Sequence, residues 1–233
     1  MVCRFADVNF DVKLRDARVG SRLRPYETDG APDFCLRIED EAFAEKFDSF
    51  GNKNVCMTEF LCISQAVSDA LLKNYDGFLF HSSAISYEGS GILFSAVSGT
   101  GKSTHARFWK NLFGDKVVYV NDDKPFIREV GGEFFVYGNP WDGKERLSNN
   151  VKVPLKVICF IERGAQTTVN DMSVPNAVVS FYNQTFRAIE EDMQDKFLSL
   201  IDRLLRKVQI VKVTRPLDEK SPEKVLEAIG EYL

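Results

Sequence analysis

The chain has 233 residues, of which 44% are hydrophobic and 27% are charged, the composition of an ordinary globular protein. Its 30 basic and 34 acidic residues are well mixed and give a formal net charge of −4. This balance argues against a general nucleic-acid binder or a membrane-surface binder, because both need a basic excess or a basic block. The length suits one large domain, or one domain with a small appendage.

The cysteines and the N-terminal composition indicate a reducing compartment. The five cysteines are odd in number and none of them form a CxxC pair. Cys35, Cys62 and Cys159 lie in apolar runs, where a free thiol behaves as a small hydrophobe. Charged residues interrupt the first fifteen positions, so no secretory signal is expected, and no apolar stretch is expected to be long enough to span a bilayer. We therefore predict a cytoplasmic protein that binds neither membranes nor nucleic acid.

The first 75 residues predict a small α+β region. Alternation of apolar and polar residues over 2–14 indicates one or two short strands. Residues 20–33 are typical of a loop, and 34–38 of a further strand. Helical spacing over 58–73 predicts a helix with its first residue, Thr58, as the N-cap.

The main sheet is predicted to begin at Gly77, so that residues 76–233 form the larger part of the chain. Runs at 78–86 and 91–96 are β-rich, and the segment 87–90 that joins them suits a hairpin. Residues 117–120 are a continuous apolar run of the kind buried in a sheet centre. Further strands are predicted at 126–130, 134–137, 155–161 and 209–214. Helices are predicted at 102–112, 174–182 and 187–208. A last helix is predicted after Ser221, which is taken as the N-cap before Pro222.

The sharpest motif is a strand followed by a glycine-rich loop and a helix. The loop reads Ser98-Gly99-Thr100-Gly101-Lys102-Ser103-Thr104. Glycines let successive backbone N–H groups point inward, and the helix N-terminus adds a positive dipole end, so the loop predicts phosphate binding. We expect Lys102 to reach the outer phosphates of ATP and the Ser103 hydroxyl to coordinate Mg²⁺. Ala96 stands where the strict pattern has glycine, and a loop that merely caps a helix is the alternative.

Two adjacent carboxylates follow the strand predicted at 117–120. Magnesium takes hard oxygen ligands, often a carboxylate at the end of a neighbouring strand, and Asp122 and Asp123 lie at such a place. One of them would ligate the metal, and the other would orient or deprotonate an attacking hydroxyl. A solvated turn of two aspartates is the alternative.

Four other features are weaker candidates. His81 lies in the run 78–86, as a structural or a reactive residue, and His105 is expected on the flank of the helix after the loop. The polar segment 137–146 is either a substrate-facing loop or a connection with a packed tryptophan. Arg163 either brings a cation to the same end of the sheet or lies in a solvated turn.

In this order the motifs resemble the catalytic domain of HPr kinase/phosphorylase and, more distantly, the phosphoenolpyruvate carboxykinases. The resemblance covers about residues 77–165 and rests on His81, the hairpin glycines Gly89 and Gly91, the loop 98–103 and the pair Asp122-Asp123. It implies a mixed, largely antiparallel sheet flanked by helices, and ATP and Mg²⁺ as cofactors. It also implies that Asp122 and His81 lie at the phosphate-transfer centre, with Ser103 and Asp123 at the metal.

The chain departs from that family in two places. The family's glycine-rich signature with a carboxylate is replaced by 134–141, and residues 1–75 are too few for the family's N-terminal regulatory domain. HPr is therefore not expected as the acceptor, and the chain is too short for a carboxykinase.

The sequence accordingly predicts a kinase that transfers the γ-phosphoryl group of ATP to a hydroxyl of a small molecule, a peptide or a protein serine. A nucleotide-binding sensor or scaffold without turnover is the first alternative, and a structural protein with an accidental loop is the second. The oligomeric state is left open, with a homo-oligomer among the alternatives.

Overall fold

The computed structural model describes residues 1–49, 54–185 and 191–233. The described helices are α1 Ala17–Leu23, α2 Asp40–Ser49, α3 Val55–Tyr75, α4 Lys102–Phe113, α5 Val174–Gln184, α6 Glu191–Leu205 and α7 Ser221–Ile229. The described strands are β1 Val2–Phe5, β2 Val8–Val12, β3 Phe34–Leu36, β4 Gly77–Leu79, β5 Ser82–Tyr87, β6 Ser90–Ser95, β7 Val117–Asn121, β8 Phe126–Val130, β9 Glu133–Tyr137, β10 Lys152–Arg163, β11 Thr168–Asp171 and β12 Gln209–Arg215.

The main sheet is mixed and largely antiparallel, as predicted. Its strands follow the order β4-β8-β9-β10-β6-β5-β7, with β12 on β10 and β11 on β12. Two of its pairs, β10 with β6 and β10 with β12, are parallel, and the other described pairs are antiparallel. Strands β1, β2 and β3 form a separate small sheet.

Helices cover both faces of the sheet, and the central strands are apolar on both sides for that reason. Along β6, Leu93 belongs to the cluster that includes α5 and α6 residues. Its neighbours Ile92 and Phe94 belong to the cluster that includes α4 and α7 residues. This alternation is the two-residue period of a strand, and it places α4 and α5 on opposite faces of β6.

The turn after β5 confirms the predicted hairpin. Strands β5 and β6 pair antiparallel from Ser82↔Ser95 to Tyr87↔Ser90. The two residues of the turn, Glu88 and Gly89, have φ of 47° and 92°. Positive φ at both positions matches the right-handed twist of the flanking strands, so this short turn sets the register of the strand that leads into the glycine-rich loop.

Several predicted elements are corrected. The run 78–86 is two strands, since β4 pairs with β8 whereas β5 pairs with β6 and β7. Strand β7 ends the strand order and Val118 is exposed, so 117–120 does not lie in the sheet centre. Helix α1 occupies the start of the predicted loop 20–33, and α2 and β11 were not predicted.

Two helix starts were also misplaced. Asn54, not Thr58, caps α3, and its side chain accepts from the Met57 N–H. Ser221 is the first residue of α7 and Lys220 precedes it as the N-cap. Residues 187–190 of the helix predicted at 187–208, and Phe186 before them, lie outside the described residues, and the described helix α6 ends at Leu205.

Helix α3, with 21 residues, is the one described helix that is long and apolar enough to cross a membrane, and an 18-residue window within it has a mean hydropathy of 1.4. The expectation that no stretch would reach that length was therefore wrong. However, 61% of this 18-residue window is buried inside the protein. The core helix of a globular protein can have the same length and composition. The cytoplasmic location stays a prediction.

The N-terminal residues pack on the same apolar cluster as part of the main sheet. That cluster combines residues of β1, β2 and α3 with Phe126, Tyr137 and Trp141. The division into residues 1–75 and 76–233 stays a prediction, and the two ranges share this one cluster.

Candidate functional site

The glycine-rich loop connects β6, which ends at Ser95, to α4, which begins at Lys102. Gly99 and Gly101 have φ of 81° and 105°, a region that side chains disfavour and glycine adopts freely. Gly101 is the N-cap of α4, and no side chain in the described ranges caps this helix. The first N–H groups of a helix have no intrahelical acceptor, so this end of α4 can bind an anion.

Two donors of the loop bind carbonyls of the residues just before it. Lys102 is buried, and its Nζ donates to the carbonyl of Ala96 at 3.1 Å. The Thr100 N–H donates to the Val97 carbonyl at 3.2 Å. Burial lowers the pKa of Lys102, and the charge of Asp123 opposes that shift. Ser98, Gly99 and Ser103 are exposed, and Thr104 is half-buried.

A buried asparagine shapes the turn that carries the two aspartates. Asn121 ends β7, and its Oδ1 accepts from the N–H groups of Asp123 and Lys124 at 2.9 and 2.7 Å. Its Nδ2 donates to the carbonyl and to the side-chain oxygen of Asn139, both at 3.0 Å. An Asn side chain that mimics a backbone turn in this way terminates the strand, so both carboxylates follow at the strand end.

Asp122 lies beside the glycine-rich loop. Its backbone carbonyl accepts from Ser83 Oγ at 3.1 Å and from Ser103 Oγ at 3.4 Å. Its side-chain Oδ1 accepts from the Gly143 N–H at 2.6 Å. Burial raises the pKa of Asp122, and so do the charges of Asp142 and Asp123. A carboxyl group with a raised pKa can take up a proton near neutral pH more readily than an ordinary aspartate.

Asp123 lies between His81 and Lys124. Its Oδ1 is 3.4 Å from His81 Nε2, and its Oδ2 is 3.1 Å from Lys124 Nζ. Burial by itself raises the pKa of Asp123, but the hydrogen bond from His81 and the charge of Lys124 outweigh it and lower the pKa. Asp123 therefore stays ionised, as a ligand for a hard cation must.

His81 is brought to the site but not by a strand. It lies in the connection between β4 and β5, where its N–H donates to the Gln184 carbonyl. Its Nδ1 is 2.9 Å from the side-chain oxygen of Gln184, the last residue of α5. The histidine is thus oriented by Gln184 on one side and Asp123 on the other, and it contacts Asp123 rather than Asp122.

The segment 137–146 has the packed tryptophan that one of its two predicted roles required, and its role as a substrate-facing loop stays a prediction. Trp141 is 2% exposed and packs against Phe5, Phe60 and Phe126, and its Nε1 donates to the Phe60 carbonyl at 2.7 Å. Two residues later, Gly143 holds the Asp122 carboxylate. The packed tryptophan therefore anchors a loop that contacts the acidic pair.

His105 lies on the inner face of α4 rather than on an open flank. It is completely buried, its Nε2 accepts from Trp109 Nε1 at 3.2 Å, and its Nδ1 is 3.4 Å from Ser221 Oγ. Burial, followed by the charge of Arg215, lowers the pKa of His105 well below its ordinary value. It is a neutral core residue.

Sequence reasoning missed several residues at the site. Arg215, at the end of β12, donates to the Gly101 carbonyl at 2.7 Å. Arg163, which the sequence left undecided, donates to the Gly99 carbonyl at 2.6 Å. The only sequence feature that could have indicated Arg215 is its position at the end of a predicted strand. No sequence feature indicated Gln184.

A groove of about 440 Å³ opens next to the loop, between α5 and the ends of β6, β10 and β12. Its walls are mostly apolar and uncharged polar side chains. Gln184 lines the groove and also contacts His81, so the groove leads to the acidic turn. Other residues along it include Ser95, Val97, Phe160, Met172, Asn176 and Asn183.

The oxygen donors at the site fit magnesium better than a softer metal. The described residues contain no group of three or more His, Cys, Asp or Glu side chains placed to hold a metal ion. Mg²⁺ needs no such cage, because it is usually held by one or two carboxylates, waters and substrate phosphates. The Ser103 hydroxyl and the carboxylates of Asp122 and Asp123 are a donor set of that kind.

The likeness of this chain to known proteins is structural and distant. No family model and no curated protein matches this chain. Among solved structures, the HPr(Ser) kinase/phosphatase from Coxiella burnetii is similar with 9% sequence identity and a TM-score of 0.37, over 66% of this chain and 93% of that chain. A likeness of this degree does not bear on activity, so the functional argument rests on the site itself.

Proposed function

We propose that this protein is an ATP- and Mg²⁺-dependent kinase that transfers the γ-phosphoryl group to a hydroxyl acceptor. The observation that carries the proposal is the contact between the loop and the acidic turn. Ser103, which directly follows Lys102, donates to the carbonyl of Asp122. One short span thus joins an anion-binding loop, a lysine and two carboxylates, which are the parts that phosphoryl transfer requires.

Each of these residues has a role in the proposed reaction. The N–H groups at the start of α4 and Lys102 bind the polyphosphate, and Lys102 exchanges the Ala96 carbonyl for a phosphate oxygen in doing so. Ser103 and Asp123 would hold Mg²⁺, which would neutralise phosphate charge. Asp122 orients the acceptor hydroxyl and takes its proton while the new O–P bond forms and the bond to ADP breaks. His81 fixes the position of Asp123.

The acceptor is expected to enter through the groove beside α5. The groove ends at Gln184, which contacts His81, and it borders the loop at Ala96 and Val97. Its lining is mostly uncharged, and of its three charged residues two are acidic (Glu162 and Asp171) and one is basic (Lys212). Such a lining suits a neutral hydroxylated molecule, or a serine-containing peptide, better than a second polyanion. Asn176→Trp, placed on its wall, is therefore expected to raise the KM for the acceptor without changing the KM for ATP.

The test is transfer of labelled γ-phosphate from Mg-ATP to a panel of hydroxylated metabolites and serine peptides. Lys102→Ala and Asp122→Asn are expected to lower transfer by about 100-fold or more, the scale on which a lost electrostatic or acid–base group acts. Lys116→Ala and Asp115→Asn are matched controls, because both residues are exposed on the turn after α4. Equal transfer by the wild type and the Lys102 and Asp122 variants contradicts the proposal, and ATP binding without transfer to any acceptor favours the sensor or scaffold.

A further inference from the structure

Two arginines lie side by side behind the glycine-rich loop. Arg163 is the last residue of β10 and Arg215 the last residue of β12, and the parallel register pairs them directly. Among the residues that the structure describes, neither guanidinium is paired with a carboxylate, and their hydrogen bonds go to backbone carbonyls. Two adjacent like charges without a counter-charge oppose folding. An unfavourable pair of arginines at this place therefore indicates a role other than stabilising the fold.

The two side chains differ in exposure. Arg163 is exposed, whereas Arg215 is 1% exposed and its Nε has no hydrogen-bond partner. Burial, followed by the charge of Arg163, lowers the pKa of Arg215 to about 10, so it remains a cation at neutral pH. A buried cation of this kind is costly unless an anion or a rigid set of acceptors lies nearby.

Both arginines hold the carbonyl side of the loop. Arg163 Nη2 donates to the carbonyl of Gly99, and Arg215 Nη2 donates to the carbonyl of Gly101. These are the two glycines of the loop whose φ is positive. In a planar trans peptide the C=O points opposite to the N–H of the next residue. A held carbonyl at Gly101 therefore turns the Lys102 N–H to the opposite side of the loop. A held carbonyl at Gly99 does the same for the Thr100 N–H, which donates to the Val97 carbonyl and would exchange that acceptor for a phosphate oxygen.

We propose that Arg163 and Arg215 are positioning residues. By binding the carbonyls of the loop, they orient its N–H groups toward the place where a polyphosphate binds. Their charges also add to the positive field that a polyphosphate enters, and the bound anion relieves the repulsion between them. This role rests on the proposed function, because it assumes that the loop binds phosphates. It requires contact between the arginines and the loop backbone, not between the arginines and the acceptor.

The experiment is calorimetric titration with pyrophosphate at neutral pH, with the thermal midpoint of each free protein measured in parallel. Arg163→Met and Arg215→Lys are each expected to weaken pyrophosphate binding about 10-fold, the equivalent of one hydrogen bond from a charged group. Arg163 is exposed, so Arg163→Met is expected to leave the thermal midpoint within about 2 °C. The control is Arg206→Met, which removes the same charge from an exposed arginine near the start of β12 and is expected to change the affinity less than 2-fold.

The outcomes separate this proposal from the kinase proposal. If Arg163→Met and Arg215→Lys bind pyrophosphate as tightly as the wild type does, the positioning role is overturned and the kinase proposal stands. Equal weakening by Arg206→Met also overturns it, because the effect is then one of net charge alone. A wild type that binds neither pyrophosphate nor ADP overturns both proposals.

Discussion

Acid is expected to destabilise this protein through His105, and the structure sets the size of the effect. Nε2 of His105 accepts from the Trp109 indole N–H, so it carries a lone pair and the ring is neutral. Protonation would break this hydrogen bond and place a second positive charge near Arg215 in the core. The folded state therefore resists a proton that the unfolded chain binds at an ordinary pKa of about 6.5.

The sign follows from proton binding in the two states. The pKa of His105 is depressed in the folded state, so below pH 6.5 the unfolded state binds more protons and stability falls as the pH falls. The loss approaches about 1.4 kcal/mol per pH unit below 6.5, or up to about 2 kcal/mol between pH 7 and pH 5. For a chain of this size that is a decrease of about 4–8 °C in the thermal midpoint.

The assay compares the wild type with His105→Gln by thermal melting at pH 7 and at pH 5. Glutamine cannot be protonated in this range, yet its side-chain oxygen can still accept from Trp109. We expect the variant to lose about 4–8 °C less than the wild type between the two pH values, whatever the substitution costs at pH 7. His81, the other histidine of the chain, is present in both proteins and cancels. Identical pH dependence in the two proteins would refute the burial of a neutral imidazole.

Three further predictions concern the site. A Cβ at Gly143 would lie 2.8 Å from Asp122 Oδ2, so Gly143→Ala is expected to displace the carboxylate that takes the acceptor's proton. Phosphate transfer from Mg-ATP should then fall about 10-fold, the equivalent of one charge-assisted hydrogen bond. Gly230→Ala, where a Cβ meets nothing within 4 Å, should leave the transfer unchanged. Trp141→Ala is expected to lower the free energy of unfolding by about 3–5 kcal/mol in urea titration, and a loss below 1 kcal/mol would contradict its anchoring role. Asn121→Ala removes the acceptor of two N–H groups and should cost about 1–3 kcal/mol in the same titration, together with most of the phosphate transfer.

The fold depends on contacts that unite distant parts of the chain around the site. Arg22 in α1 donates to the Asp142 carboxylate at 2.8 Å and lies over the Phe60 ring. Residues 1–75 thereby contact the loop that holds Asp122.

The sequence by itself determined the features whose signals are local. The glycine spacing in 98–104 requires positive φ in the loop, and the turn at 87–90 requires it in the hairpin, so both could be read from neighbouring residues. The pair Asp122-Asp123 was predicted at a strand end because an apolar run directly precedes it. Short β-rich and apolar runs likewise identified most strands of the main sheet.

Only the tertiary structure decided how these parts meet. Arg215 contacts the loop from 114 positions away and Gln184 contacts His81 from 103 positions away, and no local pattern encodes such contacts. Strand β7 lies at the end of the strand order because the pairing of whole strands, not the apolar run itself, sets its place. The same holds for His105, which is neutral because α7 and Trp109 enclose it. Burial, register and the partner of each charge are properties of the packed chain, and the chemistry of the site depends on all three.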